Sequence, residues 1–390
     1  MKRILDKLNL DPYIMIPYLL LSLFGLIMVY SASSFFSLAE TNSAESYFYK
    51  QFIFVLVGMG LMLLVSYLGE YILQKKWALF GVFAILILLL IIVLFTSPIN
   101  GAKSWISIGG FTLQPSEFAK LFIIWAGAYF YSVNQKLIDS KILAYIAWPA
   151  SMAAIIFLFV LAQPDFGTFL ILILIFLIQF VSSGVPLKYP IGLGVFSVVA
   201  YGLTYLPKSW IENLPIMQYQ IGRLTSFHNP WADAQGDGYQ AIQGYLALAR
   251  GGLTGTGLAT SIQKTGFLPE AHTDFILAII GEEMGVIMVL VVLAVLFSLI
   301  IFIFRQSIQC KLLFSKLVCI GVGAMILVQS SINIGALLGL APITGVPLPF
   351  ISYGGSSFLA LSIGIGMVQC VIRMDQKFVS NMANSIEKGR

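Results

Sequence analysis

The chain has 390 residues, of which 59% are hydrophobic and only 10% charged, and its mean hydropathy is +0.93. Soluble domains carry about 25% charged residues, so a water-soluble globular fold is excluded and most of the surface must face lipid. The net charge of +5 does not mark a nucleic-acid partner, because the basic residues are distributed between apolar segments in a pattern that sets membrane topology.

A membrane-crossing helix needs roughly 20 apolar residues. In chain order, segments 13–33, 52–68, 77–96, 118–132, 142–162, 167–182, 189–206, 274–304, 315–340 and 355–372 qualify. The expected fold is an all-α integral membrane protein of about ten transmembrane helices, a single polytopic domain over 1–390. The first segment lacks a small-residue cleavage site and reads as a signal-anchor. With the N-terminus inside, Lys2, Arg3, Lys7, Lys75, Lys76, Lys136, Lys141, Lys188 and every basic residue from Arg305 onward fall inside. Lys50, Lys103, Lys208, Arg223, Arg250 and Lys264 fall outside. That bias places both termini in the cytoplasm. Cys310, Cys319 and Cys370 have no metal or disulfide spacing.

Most connections are short. The exception is 207–273, a large outer loop between spans seven and eight, and loops of this size are usually functional. Within it YQAIQGYLALARGG reads as an amphipathic helix, with Ile242, Tyr245, Leu246 and Leu248 towards one side, suited to the membrane interface. The following GGLTGTGL has no preceding strand and no P-loop lysine, which argues against a nucleotide site. It reads as flexible backbone.

Polar groups enter the apolar segments at four places, and such groups default to functional hypotheses. In QPSEFAKL, Glu117 and Lys120 stand three apart and share a helix face; the bland alternative is an internal ion pair with a capping residue. In QPDFGT, Asp165 is a favoured helix cap before span six. In PEAHTDFILAIIGEEMG, Asp274 opens span eight, with Glu282 and Glu283 about two turns deeper and His272 beside it as a hydrogen-bonding neighbour. A cap at Asp274 would not explain two more carboxylates below it. In TGVPLPFISYGGSS, hydroxyls and small residues suggest a re-entrant loop, since non-helical backbone at membrane depth needs shielding by protein or a cavity. By loop alternation all four places face outward, which predicts one outward-facing polar cavity.

A cavity of carboxylates and a few cations, without a His or Cys cluster, is unsuited to zinc. A divalent cation such as Mg2+ or Mn2+ on oxygen ligands and substrate phosphates is compatible with it. Without a nucleotide, chemistry on the outer face needs a substrate that carries its own leaving group. A lipid-linked pyrophosphate sugar is such a substrate. It needs a base for the attacking hydroxyl and cations for the phosphates.

The runs QPSEFAKL (114–121), QPDFGT (163–168), PEAHTDFILAIIGEEMG (269–285) and PLPFISYGGSS (347–357) closely resemble the SEDS family (FtsW/RodA/SpoVE) of bacterial cell-wall proteins. The resemblance covers essentially the whole chain. It implies a peptidoglycan glycosyltransferase that polymerises lipid II and works with a class B penicillin-binding protein and other divisome or elongasome membrane proteins. It implies that Asp274 is catalytic and that Glu117, Lys120 and Asp165 line the central cavity. Gln114, Arg223, Ser352 and Ser356 are further candidate substrate contacts, and His272, Glu282 and Glu283 supporting residues. LLSLFGLIMVYSASS and RLTSFHNPWADAQGDGYQ resemble the division-type members, LAPITGVPLPFISYGG the elongation type; the division type is the expectation. One departure is Gly101-Ala102-Lys103-Ser104-Trp105, where relatives often carry arginine before the tryptophan. Two other readings compete. A lipid II flippase would use the same cavity but needs phosphate-binding cations more than a base, and a divisome scaffold needs no chemistry at all.

Overall fold

The computed structural model of the chain describes residues 10–98, 103–109, 111–138, 140–186, 227, 229–236 and 238–388. The helices are α1 (Pro12–Thr41), α2 (Ser46–Ile72), α3 (Lys76–Leu94), α4 (Pro115–Val133), α5 (Ile142–Ala162), α6 (Phe166–Ser182), α7 (Tyr239–Gly251), α8 (Ile276–Gln309), α9 (Leu313–Leu337) and α10 (Gly355–Lys388). A short antiparallel hairpin, β1 (Ile106–Ile108) and β2 (Phe111–Leu113), sits between α3 and α4. Among the described residues, seven helices are long and apolar enough to cross a membrane: α1, α2, α3, α5, α8, α9 and α10. The segment expected at 189–206 lies outside the described residues, as do Lys188, Lys208 and Arg223.

Expected span four is α4, and its character explains its charges. Nearly every residue of α4 is buried, Glu117 and Lys120 included. It packs against α3, α5, α6, α9 and α10, so it has little lipid-facing surface to keep apolar. By contrast α2, α3 and α5 have only 28% of their most apolar window buried, as lipid contact requires.

Helices α1 to α6 alternate in direction, and so do α8 to α10, so the connections sort into two ends. At one end Asp11 caps α1, accepting from Tyr13 N–H at 2.8 Å beside Pro12 at the first helical position. Its own N–H donates to Gln369 Oε1 of α10, and Lys311 and Leu312 N–H of the α8–α9 turn both donate to Asp375 Oδ1 at 2.8 Å. Lys75, Lys76, Lys136, Lys141, Lys311 and Lys377 belong to this end. The four polar motifs lie at the opposite end.

Candidate functional site

The organising element is the stretch between α9 and α10, residues 338–354, which is not helical. Phe350 and Ile351 are 2% and 0% exposed and lie against Gly25, midway along α1, so the chain dips into the bundle and returns. Several of its backbone groups are satisfied by protein, as shielded irregular backbone needs. Ser352 Oγ accepts from Leu348 N–H at 2.9 Å, and Asn333 Nδ2 donates to the Val346 carbonyl at 2.8 Å. Tyr353 N–H donates to the His272 carbonyl at 2.9 Å. The expected re-entrant loop is therefore present.

The other motifs meet on this loop. Gln114, immediately before α4, gives its N–H to Ser356 Oγ at 2.9 Å and its side-chain amide to Asp165 Oδ2 at 3.0 Å. Ser356 Oγ in turn donates to the Thr112 carbonyl of β2. Asp165 caps α6 through Thr168 N–H at 3.1 Å, and Gly167 packs on Thr344 and Val346 of the loop. Desolvation pushes the half-buried Asp165 carboxyl above the ordinary aspartate range; the Thr168 and Gln114 hydrogen bonds oppose this and the Glu117 carboxylate adds to it. Ser352 and Ser356, expected to touch substrate, are 4% and 2% exposed and use their hydroxyls within the protein.

Glu117 and Lys120 do form the pair their spacing predicts. Lys120 Nζ is 2.8 Å from Glu117 Oε1 and 2.7 Å from Oε2. They are 4% and 0% exposed, so the pair is buried within the bundle.

Asp274 precedes α8 by two residues and is half-buried. It is not the helix cap; that position belongs to Phe275, which makes no side-chain capping bond. Its carbonyl accepts from Asn333 Nδ2 at 2.7 Å, the same amide that holds Val346. Asn333 thereby ties the third motif to the fourth.

Glu282 and Glu283, expected as supporting residues, are buried and held by the outer loop. Glu282 pairs with Arg250 at 2.7 Å and accepts from Ser261 Oγ and from the N–H groups of Ile262 and Gln263. Glu283 pairs with Lys264 at 2.7 Å and accepts from Ser31 Oγ. Each charge is balanced by a cation of the outer loop. Lys264, expected on the outer side, is 7% exposed and committed to this pair. The glycine-rich run is not flexible either: it is seated against α8. The helix α7 exists as predicted, but Ala241, Ile242 and Ala247 are buried and it packs on α8, with Leu246 left exposed. Its buried side thus seats on protein.

His272 sits in an aromatic box of Phe36, Tyr47 and Tyr353, with ring centroids at 5.4, 4.9 and 5.6 Å. Burial holds its pKa below the usual histidine value of 6.5, against the pull of Glu270 and Glu40. Residues that the motifs did not single out are Asn333 and Gln51, whose amides stitch the loop to α9 and α2; a polar side chain inside an otherwise apolar span was the available signal. Lys103 N–H donates to the Gln163 carbonyl, which puts the exposed Lys103 beside the Asp165 motif. Among the described residues no group of three or more His, Cys, Asp or Glu could hold a metal ion.

Fold and site together define a polytopic helical membrane protein whose polar motifs converge on a re-entrant loop at one end. The family model described as "Cell cycle protein", covering FtsW, RodA and SpoVE, matches residues 12–377, and the chain belongs to this family. It is 38% identical over 366 residues to the probable peptidoglycan glycosyltransferase FtsW of Enterococcus hirae, covering 92% of this chain and 91% of that one. It is 36% identical to stage V sporulation protein E of Bacillus subtilis, covering 94% and 98%. Among solved structures it is similar to a chain of a peptidoglycan synthase complex in which polymerization and crosslinking are coordinated, with a TM-score of 0.73, 25% identity and coverage of 94% and 98%. The rod shape determining protein RodA of Thermus thermophilus shares the fold at a TM-score of 0.67, 23% identity and coverage of 94% and 97%.

Proposed function

We propose that this chain is a peptidoglycan glycosyltransferase of the division type, polymerising lipid II at the outer face of the bacterial cytoplasmic membrane with Asp274 as general base. The observation that carries the reading is the place of Asp274. It stands half-buried where the four motifs meet, directly before α8, with its backbone carbonyl fixed by the Asn333 amide that also holds the re-entrant loop. The end holding these motifs is opposite the lysine-rich end, which by the positive-inside rule is cytoplasmic.

In the proposed reaction the acceptor sugar hydroxyl gives its proton to the Asp274 carboxylate as its oxygen attacks the anomeric carbon of the donor. The bond from that carbon to the lipid diphosphate breaks, and undecaprenyl diphosphate leaves. Such a step needs a base within hydrogen-bond reach of the hydroxyl and positive charge on the departing phosphates. Arg223 and Lys103 are the proposed phosphate contacts. Any Mg2+ or Mn2+ would be carried on the diphosphate, since the described side chains offer no ligand cluster of their own. The buried Glu117–Lys120 pair and Gln114 hold the α4 end in register with Asp165 and Ser356, and the Asn333 amide does the same for Asp274.

A class B penicillin-binding protein is the proposed partner, supported by the likeness to a chain of a peptidoglycan synthase complex. The test incubates the purified protein and its transpeptidase partner with lipid II and scores glycan chains. Chain formation supports the assignment; lipid II translocation without chains would replace it with a transporter.

A further inference from the structure

The helix α8 is broken at Gly285, whose backbone (φ 81°, ψ 169°) is non-helical, leaving residues 276–284 as a separate segment directly after Asp274. The hydrogen bonds lost at the break are replaced by the glycine-rich run of the outer loop. Thr256 and Gly257 N–H donate to the carbonyls of Glu282 and Glu283 at 3.0 and 2.9 Å, and Val286 N–H donates to the Gly252 carbonyl at 3.0 Å. Gly255 (φ +81°) lies so close that a Cβ there would overlap the Glu283 carbonyl, and a Cβ on Gly285 would overlap that of Leu253. The side chains of the same two residues then fasten the rest of the loop, Glu282 to Arg250 and Glu283 to Lys264. Lys264 Nζ also donates to Ser31 Oγ of α1 at 3.0 Å.

We infer that residues 250–264 are a clasp that sets the position of the segment 276–284 and hence of Asp274, with Glu282, Glu283 and Lys264 as positioning residues for the transfer step. Three observations point the same way. The backbone carbonyls and the side chains of Glu282 and Glu283 are both engaged by one loop. The charges within the clasp cancel, so its action on Asp274 is geometric. And Ser31 anchors it to α1, a helix that also supports the re-entrant loop through Gly25. The cooperation of these contacts matters because a misplacement of about 1 Å at a reacting group costs on the order of 10²-fold in rate.

The inference rests on Asp274 being the base, and the experiment separates the two. Gly255→Ala leaves every charge in place and wedges the strap from α8. The full-length protein with its partner should then lose about 10²-fold in kcat for glycan formation, with the acid limb of the pH–rate profile where it was. Amide hydrogen exchange should rise within 252–264 and 276–287, and stay at its original level in α9 and α10. Glu283→Gln and Lys264→Met should each lower kcat, and the double variant should recover most of the loss because no unpaired charge remains buried. A Gly255→Ala protein with wild-type kcat and unchanged exchange in 276–287 overturns the clasp. So do opposite shifts of the acid limb in the two single variants, which would mean that charge acts on Asp274. If Asp274→Asn proves active, the base assignment falls, while the exchange pattern still decides the clasp.

Discussion

Replacing Lys120 with Met tests what the α4 charges contribute. The ammonium is 0% exposed and its partner Glu117 4%, with both carboxylate oxygens within 2.8 Å of Lys120 Nζ. Methionine fills a similar volume, so packing changes little and the main effect is a carboxylate left buried without its cation. Breaking a buried pair in this way costs about 3–5 kcal/mol, whereas replacing both partners is often close to neutral. Lys120→Met and Glu117→Gln should therefore each destabilise the protein by that amount, and Glu117→Gln/Lys120→Met should recover at least half of it. The assay is a double-mutant cycle on denaturant unfolding in mixed micelles, run beside glycan-chain formation. Both single variants should lose stability and activity together, because the pair fixes the α4 end that carries Gln114. Single variants within about 0.5 kcal/mol of wild type, the range of ordinary surface substitutions, but without activity would refute the reasoning and return the pair to direct substrate contact.

Gln114→Leu should lower polymerisation about tenfold or more, since it removes the donor to Asp165 and strands a carboxyl in a desolvated site; steady-state kinetics with lipid II check this, and an unchanged rate contradicts it. A Cβ on Gly25 would stand 2.6 Å from the Phe350 carbonyl, so Gly25→Ala should displace the re-entrant loop and cost about 1–3 kcal/mol, read by unfolding. His272 has its folded pKa below its unfolded value of about 6.5, so below pH 6.5 the unfolded chain binds a proton that the folded one refuses. Stability should be fully present above pH 6.5 and fall as the pH drops towards the folded pKa. His272→Phe should flatten that slope; an equally steep slope in the variant would contradict the assignment.

The spans were legible wherever lipid contact writes them into the sequence: α1, α2, α3, α5, α8, α9 and α10 all follow from apolar length. The pair Glu117–Lys120 was legible because its spacing is local. So was the cap at Asp165, and so was the gathering of four polar motifs at one end. What sequence could not show were contacts set by tertiary approach. The partners of Glu282 and Glu283 are Arg250 and Lys264, and nothing in the spacing pairs them. The run GGLTGTGL has the composition of a flexible linker. Its glycines serve instead to let two backbones meet at the Gly285 break, and that requirement has no signature in either segment alone. The helix α7 was recognised from its periodicity, but an apolar stripe does not say whether protein or lipid covers it.

The most direct measurement of the central claim is the rate at which purified Asp274→Asn, bound to its transpeptidase partner, polymerises lipid II. The substitution is nearly isosteric and removes only the proton acceptor, so folding, partner binding and lipid II binding should persist. General-base catalysis contributes about 10²–10⁴-fold, and the account predicts a loss of at least that size with substrate affinity retained. Glycan chains formed by Asp274→Asn at near the wild-type rate would contradict it.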